Sequence, residues 1–252
     1  MQQYCRRLNE ALAAKEDGDH IIDIDAVSDA VGIDAEKPPF YYAEESQQNR
    51  FTCKCCREFS DILGTFGYCS ACGTRNDLQQ SEDHTIPLLR ERINSGGPYE
   101  LCVKDAVAAF DSFAGQYARQ LIQRIPMTPG RKARLEKMRY HNLKLVRTEF
   151  SATFDIDILS GMKADDIDFV TLMFHRRHVY EHNGGEADEK YIADSGDNSV
   201  RPKQTLHETQ DSAHRLTGLI VKMARNLHHG FHDIFPRTGT LNQSASTLEP
   251  KR

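Results

Sequence analysis

The stretch "FTCKCCREFSDILGTFGYCSACGTRND", residues 51–77, carries two C-x-x-C pairs, Cys53 with Cys56 and Cys69 with Cys72. Each pair makes a tight turn that directs two thiolates at one point, so the four sulfurs complete a tetrahedral shell around a zinc ion. Because a four-thiolate shell has no open coordination position, we expect the zinc to be structural and not catalytic.

One cysteine of this stretch is left over, since Cys55 offers a second partner for Cys53. The two-residue spacer is the commoner zinc knuckle, which favours Cys56 as the ligand and leaves Cys55 spare. Four reduced, buried cysteines without a metal are the alternative interpretation. The segment from 50 to 77 resembles a zinc ribbon, which is a small β-structured module.

The composition is that of a globular protein. Of the 252 residues, 27% are charged and 39% are hydrophobic, and the formal net charge is −5. This charge argues against a uniformly basic coat for nucleic acid. No apolar run has the length of a bilayer, and the N-terminus lacks the hydrophobic core of a secretion signal. We therefore predict a cytoplasmic protein with reduced cysteines and no membrane partner.

The sequence after the ribbon is predicted to be helical. Pro87 and Pro98 lie where prolines commonly open helices. A further helix is predicted to begin near Ala164, and the last one at a capping box, "TLHE", from 205 to 208. Residues 184–204 are predicted to form a polar loop.

The predicted fold class is therefore mainly α: a helical bundle with a small N-terminal zinc-ribbon module. Residues 1–49 are assigned to an N-terminal cap of mixed structure and 50–77 to the zinc ribbon. The helical domain is assigned to 84–235, and a disordered tail to 236–252.

The segment "HRRHVYEHNGG", residues 175–185, gathers three histidines and two arginines at the predicted end of a helix. His178 and His182 share one helical face, whereas Arg177 and His182 lie roughly 140° apart around the axis. Those two side chains converge if the glycines at 184 and 185 unwind the last turn, or if a second chain supplies the opposing group. Attraction of cations to a helix C-terminus is the simpler alternative.

An imidazole beside a guanidinium suits the cleavage of RNA. The ribose 2′-hydroxyl is a built-in nucleophile that needs a base to take its proton, and histidine titrates near neutral pH. A fixed guanidinium stabilises the extra negative charge of the phosphorane-like transition state. This chemistry requires no metal, and DNA lacks the internal nucleophile.

The segment "RHVYEH", from Arg177 to His182, resembles the R-x4-6-H motif of the HEPN ribonuclease superfamily, whose domains are all-helical and common in toxin–antitoxin and phage-defence systems. The resemblance covers residues 84–235. It implies a metal-independent endoribonuclease that acts as a homodimer on an RNA substrate, leaves a 2′,3′-cyclic phosphate and is paired with an antitoxin or a defence-system partner. By this resemblance Arg177 stabilises the phosphate, His182 transfers a proton and His178 positions one of them.

Two departures from the family pattern and one competing class of function stay open. Arg176 gives a second register, R-x5-H, within the family's range. The acidic residues that follow the motif, Glu186, Asp188 and Glu189, would repel RNA unless they fold away from it. In the competing class of function the helical domain is a non-catalytic dimerisation module, and the ribbon docks on protein or nucleic acid.

A basic stretch between 131 and 147 is a candidate track for the RNA backbone, with solvated surface charge as the alternative. The residues predicted to bind nucleic acid are Arg131, Lys132, Arg134, Lys137 and Arg139, together with Arg176 of the motif segment. A second group of histidines, in "NLHHGFH" (226–232), is expected to be exposed and without a metal.

Overall fold

The computed structural model describes residues 2–13, 24–31 and 48–237. The chain divides into two compact units. The first comprises Met1–Phe51 and Asp61–Thr65, and the second comprises Thr52–Ser60 and Phe66–Arg252. The cysteine knuckles and the helices therefore belong to the same unit, although the sequence suggested two modules.

Within the predicted N-terminal cap, the described residues form two helices, α1 (Gln2–Ala13) and α2 (Ile24–Asp29). Strands β1 (Gln48–Thr52) and β2 (Phe59–Leu63) pair in a two-stranded sheet. The rest of the predicted cap, at 14–23 and 32–47, lies outside the described residues, as does the predicted tail from 238 onward.

The second unit is mainly helical, as predicted. A segment with π-helical hydrogen bonding, Ser81–Thr85, joins its first two helices. No helix in the described ranges combines the length and the apolar character needed to cross a membrane. The helices are α3 (Asp77–Gln80), α4 (Ile86–Asn94), α5 (Tyr99–Arg124), α6 (Pro129–Glu136), α7 (Leu143–Phe154), α8 (Ala164–His182), α9 (Glu189–Ser195) and α10 (Gln210–Ile234).

The core of this unit is built around α5, which packs against both α8 and α10. Phe110 of α5 packs edge to face on Phe174 of α8, with ring centroids 5.9 Å apart. Tyr117, two helical turns further along α5, packs on Phe231 of α10 in the same way, with ring centroids 5.1 Å apart. The long apolar stripe of α5 therefore fixes the positions of the other two long helices.

The start of the last helix differs from the prediction. Helix α10 begins at Gln210, and its capping box joins Thr209 and Ser212, not residues 205 and 208. Glu208 is instead buried in a polar network described below. The predicted polar loop also contains a short helix, α9, whose first turn is capped by the Asp188 side chain.

A buried ion pair connects the cysteine segment to the helices. Nε and Nη2 of Arg75 donate to the two carboxylate oxygens of Asp77, at 2.8 and 2.9 Å, and both side chains are almost fully buried. The guanidinium lies over the ring of Tyr68 and near that of Tyr117. The backbone N–H of Arg75 donates to Nε2 of His232 on α10 at 3.3 Å.

The histidines of α10 correct the expectation of an exposed cluster, because His228 and His232 are buried. Nδ1 of His228 lies 2.7 Å from the hydroxyl of Tyr117, and its Nε2 lies 3.3 Å from Arg237. Burial lowers the pKa of His228 to about 3 and that of His232 to about 4. Both imidazoles are therefore neutral at physiological pH.

This burial makes stability depend on pH. An unfolded histidine binds a proton near pH 6.5, whereas folded His228 does not, so the stabilisation is present above about 6.5 and is lost as the pH falls toward 3. We expect His228→Gln to make the free energy of unfolding less dependent on pH, by about 2 kcal/mol between pH 7 and pH 5. Urea unfolding of both proteins at the two pH values measures this difference. Parallel pH profiles would contradict it.

Two glycines of α10 form a matched pair. A Cβ at Gly230 would lie 2.9 Å from two carbons of Ile156, whereas a Cβ at Gly218 would meet nothing within 4 Å. We expect Gly230→Ala to destabilise the protein by about 1–3 kcal/mol through overpacking. Gly218→Ala should stabilise it by up to about 1 kcal/mol, because alanine favours the helix. Thermal unfolding of the two variants should shift in opposite directions.

Candidate functional site

Four thiols converge as the sequence predicts. The Sγ atoms of Cys53, Cys56, Cys69 and Cys72 all lie within 4.8 Å of one another. The Sγ of Cys53 is 3.7 Å from that of Cys72, and the Sγ of Cys56 is 3.6 Å from that of Cys69. Tetrahedral zinc with bonds of about 2.3 Å requires sulfurs about 3.8 Å apart, so the set fits this ion.

The two knuckles repeat the same backbone geometry. In the first, the amide of Arg57 donates to the carbonyl of Cys53, and in the second the amide of Gly73 donates to that of Cys69. Both donors have a positive φ, 66° for Arg57 and 71° for Gly73. The turn therefore needs the left-handed conformation after each pair, which glycine adopts readily and arginine only at a cost.

Polar groups around Cys69 favour its thiolate, whereas burial raises the pKa of Cys53 and that of Cys72. The hydroxyl of Ser60 donates to Sγ of Cys69 at 3.3 Å. Burial opposes ionisation of this thiol, but the Ser60 hydroxyl and the amides of Cys72 and Ala71 outweigh it and lower the pKa of Cys69 to about 6. One of the four candidate ligands, Cys69, is therefore supported by hydrogen bonds from a neighbouring hydroxyl and from backbone amides.

The fifth cysteine of the stretch is separate from this cluster. Cys55 is exposed, and Nη1 of Arg237 lies 3.6 Å from its sulfur. The geometry thus resolves the sequence alternative in favour of Cys56 as the fourth thiol.

We expect purified protein to carry about one zinc per chain. Cys72→Ser should lose the metal and lower the unfolding temperature, because a structural zinc contributes its binding free energy to folding. Cys55→Ser is the matched control and should retain both metal and stability. Metal analysis and thermal unfolding measure these effects, and loss of zinc from the Cys55 variant would contradict the assignment.

The second candidate site is the end of α8, where the helix continues without a break to His182. Gly184 and Gly185 have φ values of 61° and 88° and follow the helix. The glycines therefore end α8 and do not unwind its last turn. Within one chain, the directions of Arg177 and His182 around the axis stay about 140° apart.

The helix does bring the two motif histidines together. The rings of His178 and His182 are both exposed, and their centroids are 4.6 Å apart. Desolvation lowers the pKa of His178, and the charges of His182, Lys190, Arg177 and His141 lower it further. His178 is therefore predominantly neutral at pH 7 and able to accept a proton.

Arg177 is half-buried and has no carboxylate partner. Its guanidinium makes no ion pair or hydrogen bond with the residues that the structure describes, and its Nε is buried without a partner. The adjacent acid, Glu181, binds Lys104 of α5 at 3.0 Å instead. Arg177 thus keeps its positive charge available at the end of the helix.

Arg176 has a different environment, one position along the chain. Its Nη1 donates to Glu208 at 3.1 Å, and its Nη2 donates to Asp197 at 2.9 Å. The hydroxyls of Tyr180 and Tyr191 also donate to these carboxylates, each at 2.6 Å. This arrangement argues against both the R-x5-H register and a role for Arg176 in binding RNA, because two carboxylates already occupy its donors.

The network around Arg176 fixes the segment that follows the motif. Burial of Asp197 opposes its ionisation, but hydrogen bonds from Ser199, Tyr191 and Arg176 lower its pKa to about 2. The ionised carboxylate therefore holds the end of α9 against α8 at all physiological pH values.

The basic stretch is exposed but partly paired. Lys132 lies 3.9 Å from Glu136, and Arg134 lies 2.9 Å from Glu149. Arg131, Lys137 and Arg139 are exposed and form no ion pair with the part of the chain that is described. These three are the members of the predicted track whose charge is not already compensated locally.

Sequence reasoning did not connect His141 with the motif. This residue lies in the turn between α6 and α7, and its charge acts on His178 of α8. Its Nδ1 is 3.5 Å from Oδ1 of Asp111 on α5. Its partner Asp111 belongs to α5, which packs against α8, so only the tertiary structure connects His141 with the motif.

Comparison with models of protein families, with curated proteins and with solved structures found no match for this chain.

Proposed function

We propose that the protein is a metal-independent endoribonuclease that acts at the end of α8. The observation that carries the proposal is the pair of exposed imidazoles of His178 and His182, 4.6 Å apart, beside the unpaired guanidinium of Arg177. Proton acceptors and a fixed cation without a carboxylate partner are the groups that phosphodiester cleavage by a ribose hydroxyl requires.

In this reaction the 2′-oxygen of a ribose attacks the adjacent phosphorus while His182 takes the hydroxyl proton. The bond from phosphorus to the 5′-oxygen breaks, which leaves a 2′,3′-cyclic phosphate and a 5′-hydroxyl. Arg177 stabilises the negative charge that builds up on the non-bridging oxygens through forked hydrogen bonds. His178, held 4.6 Å from His182, orients that imidazole.

We infer that the active form is a homodimer. Because α8 is intact through His182, one chain cannot easily direct Arg177 and His182 at the same phosphate. A two-fold axis beside the end of α8 would place Arg177 of one chain opposite His182 of the other.

RNA would approach along the exposed cations of α6 and the following turn. Arg131, Lys137 and Arg139 offer positive charge for the phosphate backbone, and Tyr140 lies beside them. Removal of these charges should weaken RNA binding uniformly and reduce its dependence on salt.

The biological setting that suits such an enzyme is a toxin or an anti-phage effector held in check by an antitoxin or another defence-system protein. A non-catalytic module that dimerises and docks on nucleic acid or protein is the alternative. In that case purified protein binds RNA and leaves it intact.

Cleavage of labelled single-stranded RNA tests the proposal directly. In the presence of a chelator, at a concentration that leaves bound zinc in place, we expect a cyclic phosphate product from RNA and none from DNA. His182→Ala should lower the rate by about 10²–10⁴-fold. His207→Gln, which removes an 80% exposed imidazole elsewhere, is the control and should leave the rate unchanged. Equal rates for the wild type and the His182 variant would contradict the assignment of His182 as a catalytic residue.

Mixing of two inactive variants tests the shared site. If each site takes Arg177 from one chain and His182 from the other, Arg177→Ala and His182→Ala chains form mixed dimers with one intact site. Equal amounts allowed to exchange should then recover about a quarter of wild-type activity. If both residues act within one chain, the mixture stays inactive.

A further inference from the structure

The inference concerns His141 and rests on the proposed function. His141 is half-buried in the turn that precedes α7, and its Nδ1 faces Oδ1 of Asp111 at 3.5 Å. This separation is longer than a strong hydrogen bond. Contacts between catalytic groups are commonly long before a substrate binds and shorten when it does.

The carboxylate of Asp111 is positioned for a closer contact with His141. Its Oδ1 is buried and has no hydrogen-bond partner among the described residues. A buried carboxylate oxygen without a donor is costly, so a nearby group that can supply an N–H is stabilised in that position. Nδ1 of His141 is such a group, and its engagement leaves Nε2 as the ring nitrogen available to a substrate.

The position of the turn follows from packing on α5. Tyr140 lies against Gly115, where an added Cβ would come within 3.3 Å of two ring carbons. Gly115 is one helical turn after Asp111, so the same face of α5 receives the Tyr140 ring and the His141 imidazole. The ring of Tyr140 also meets Phe150 of α7 at 6.4 Å, which fixes the turn from its other side.

His141 lies close enough to α8 to influence one histidine of the motif. His141, His182, Arg177 and Lys190 all contribute to lowering the pKa of His178. Lys104 of α5 binds Glu181 of α8 at 3.0 Å, and Asp111 lies two helical turns further along the same face of α5, which places its partner His141 on the side of α8 that carries the motif. The surroundings of His178 oppose a positive charge on that imidazole, whereas Nδ1 of His141 faces a carboxylate oxygen of Asp111.

We propose that His141 is a second proton-transfer residue of this site, which protonates the departing 5′-oxygen of RNA, and that Asp111 is the residue that positions it. His182 takes the proton of the attacking 2′-hydroxyl as the new bond to phosphorus forms. His141 gives a proton to the 5′-oxygen as its bond to phosphorus breaks. One proton is taken up and one is released, and exchange with water restores both imidazoles.

A sulfur substitution in the substrate isolates this step. In an RNA whose departing 5′-oxygen is replaced by sulfur, the leaving thiolate needs no proton, so a general acid contributes little. We expect His141→Ala to slow cleavage of ordinary RNA by about 10²–10⁴-fold and to have little effect on the sulfur-substituted RNA. His182→Ala should slow cleavage of both substrates, because both require deprotonation of the 2′-hydroxyl.

The controls use the other variants of the same protein. His207 pairs with Glu100 at the same Nδ1–oxygen distance, 3.5 Å, so His207→Gln removes a matched histidine–carboxylate pair and should not change either rate. Asp111→Asn should lower kcat for ordinary RNA by at least about tenfold with little change in KM, because it misorients His141 without removing it. Zinc content and helical circular dichroism verify that each variant is folded. His141→Gln replaces the alanine variant if the latter fails this check.

The outcomes separate the two proposals. No cleavage of either RNA by the wild-type protein overturns the ribonuclease assignment and the role of His141 together. Cleavage that requires His182 but tolerates His141→Ala overturns only the role of His141. An equal loss on ordinary and sulfur-substituted RNA also overturns it, because proton donation would not then be the step affected.

Discussion

The bidentate ion pair between Arg75 and Asp77 is the interaction on which the second unit depends. Both side chains are nearly inaccessible to water, so each charge requires the other, and loss of one partner alone costs about 3–5 kcal/mol in comparable buried pairs. The arginine directly follows the second cysteine knuckle, and the aspartate begins α3. Through the ring of Tyr117 and the imidazole of His232, the same pair contacts α5 and α10. The cysteine segment is thereby part of the helical core, which favours a bracing role for a metal held by its four thiols.

The two consecutive arginines of α8 have different surroundings, because one residue turns the helix by about 100°. Arg176 faces Asp197 and Glu208, which neutralise it and fix the segment after the motif. Arg177, rotated by about 100°, leaves that network and lies one helical turn before Glu181, which binds Lys104 instead. No carboxylate binds the Arg177 guanidinium among the described residues. Of the acidic residues that appeared unfavourable for RNA, Asp188 caps α9 and accepts a hydrogen bond from Asn183. The adjacent arginine keeps the charge that phosphate recognition needs.

Sequence patterns were informative wherever the chemistry is local. The spacing of the four cysteines sufficed to predict their convergence, because a knuckle is made by a few consecutive residues. The position of Pro98 likewise predicted the start of α5. Prediction failed where a competing long-range contact decided the outcome. Glu208 was expected to cap a helix but binds Arg176 instead. The buried histidines of α10 contact residues more than a hundred positions away, His232 the backbone of Arg75 and His228 the hydroxyl of Tyr117.

The sequence by itself determined the mainly helical class, the thiol set for a metal, and the gathering of arginine and histidine at the end of one helix. These features depend on spacing within a turn or along one helical face. Residues close together in the sequence determine that spacing. Only the tertiary structure decided which motif arginine has carboxylate partners, that α8 stays intact to His182, and that His141 faces Asp111 of α5. Those facts depend on burial and on distances between separate helices, because the free energy of a charged group is set by what packs around it.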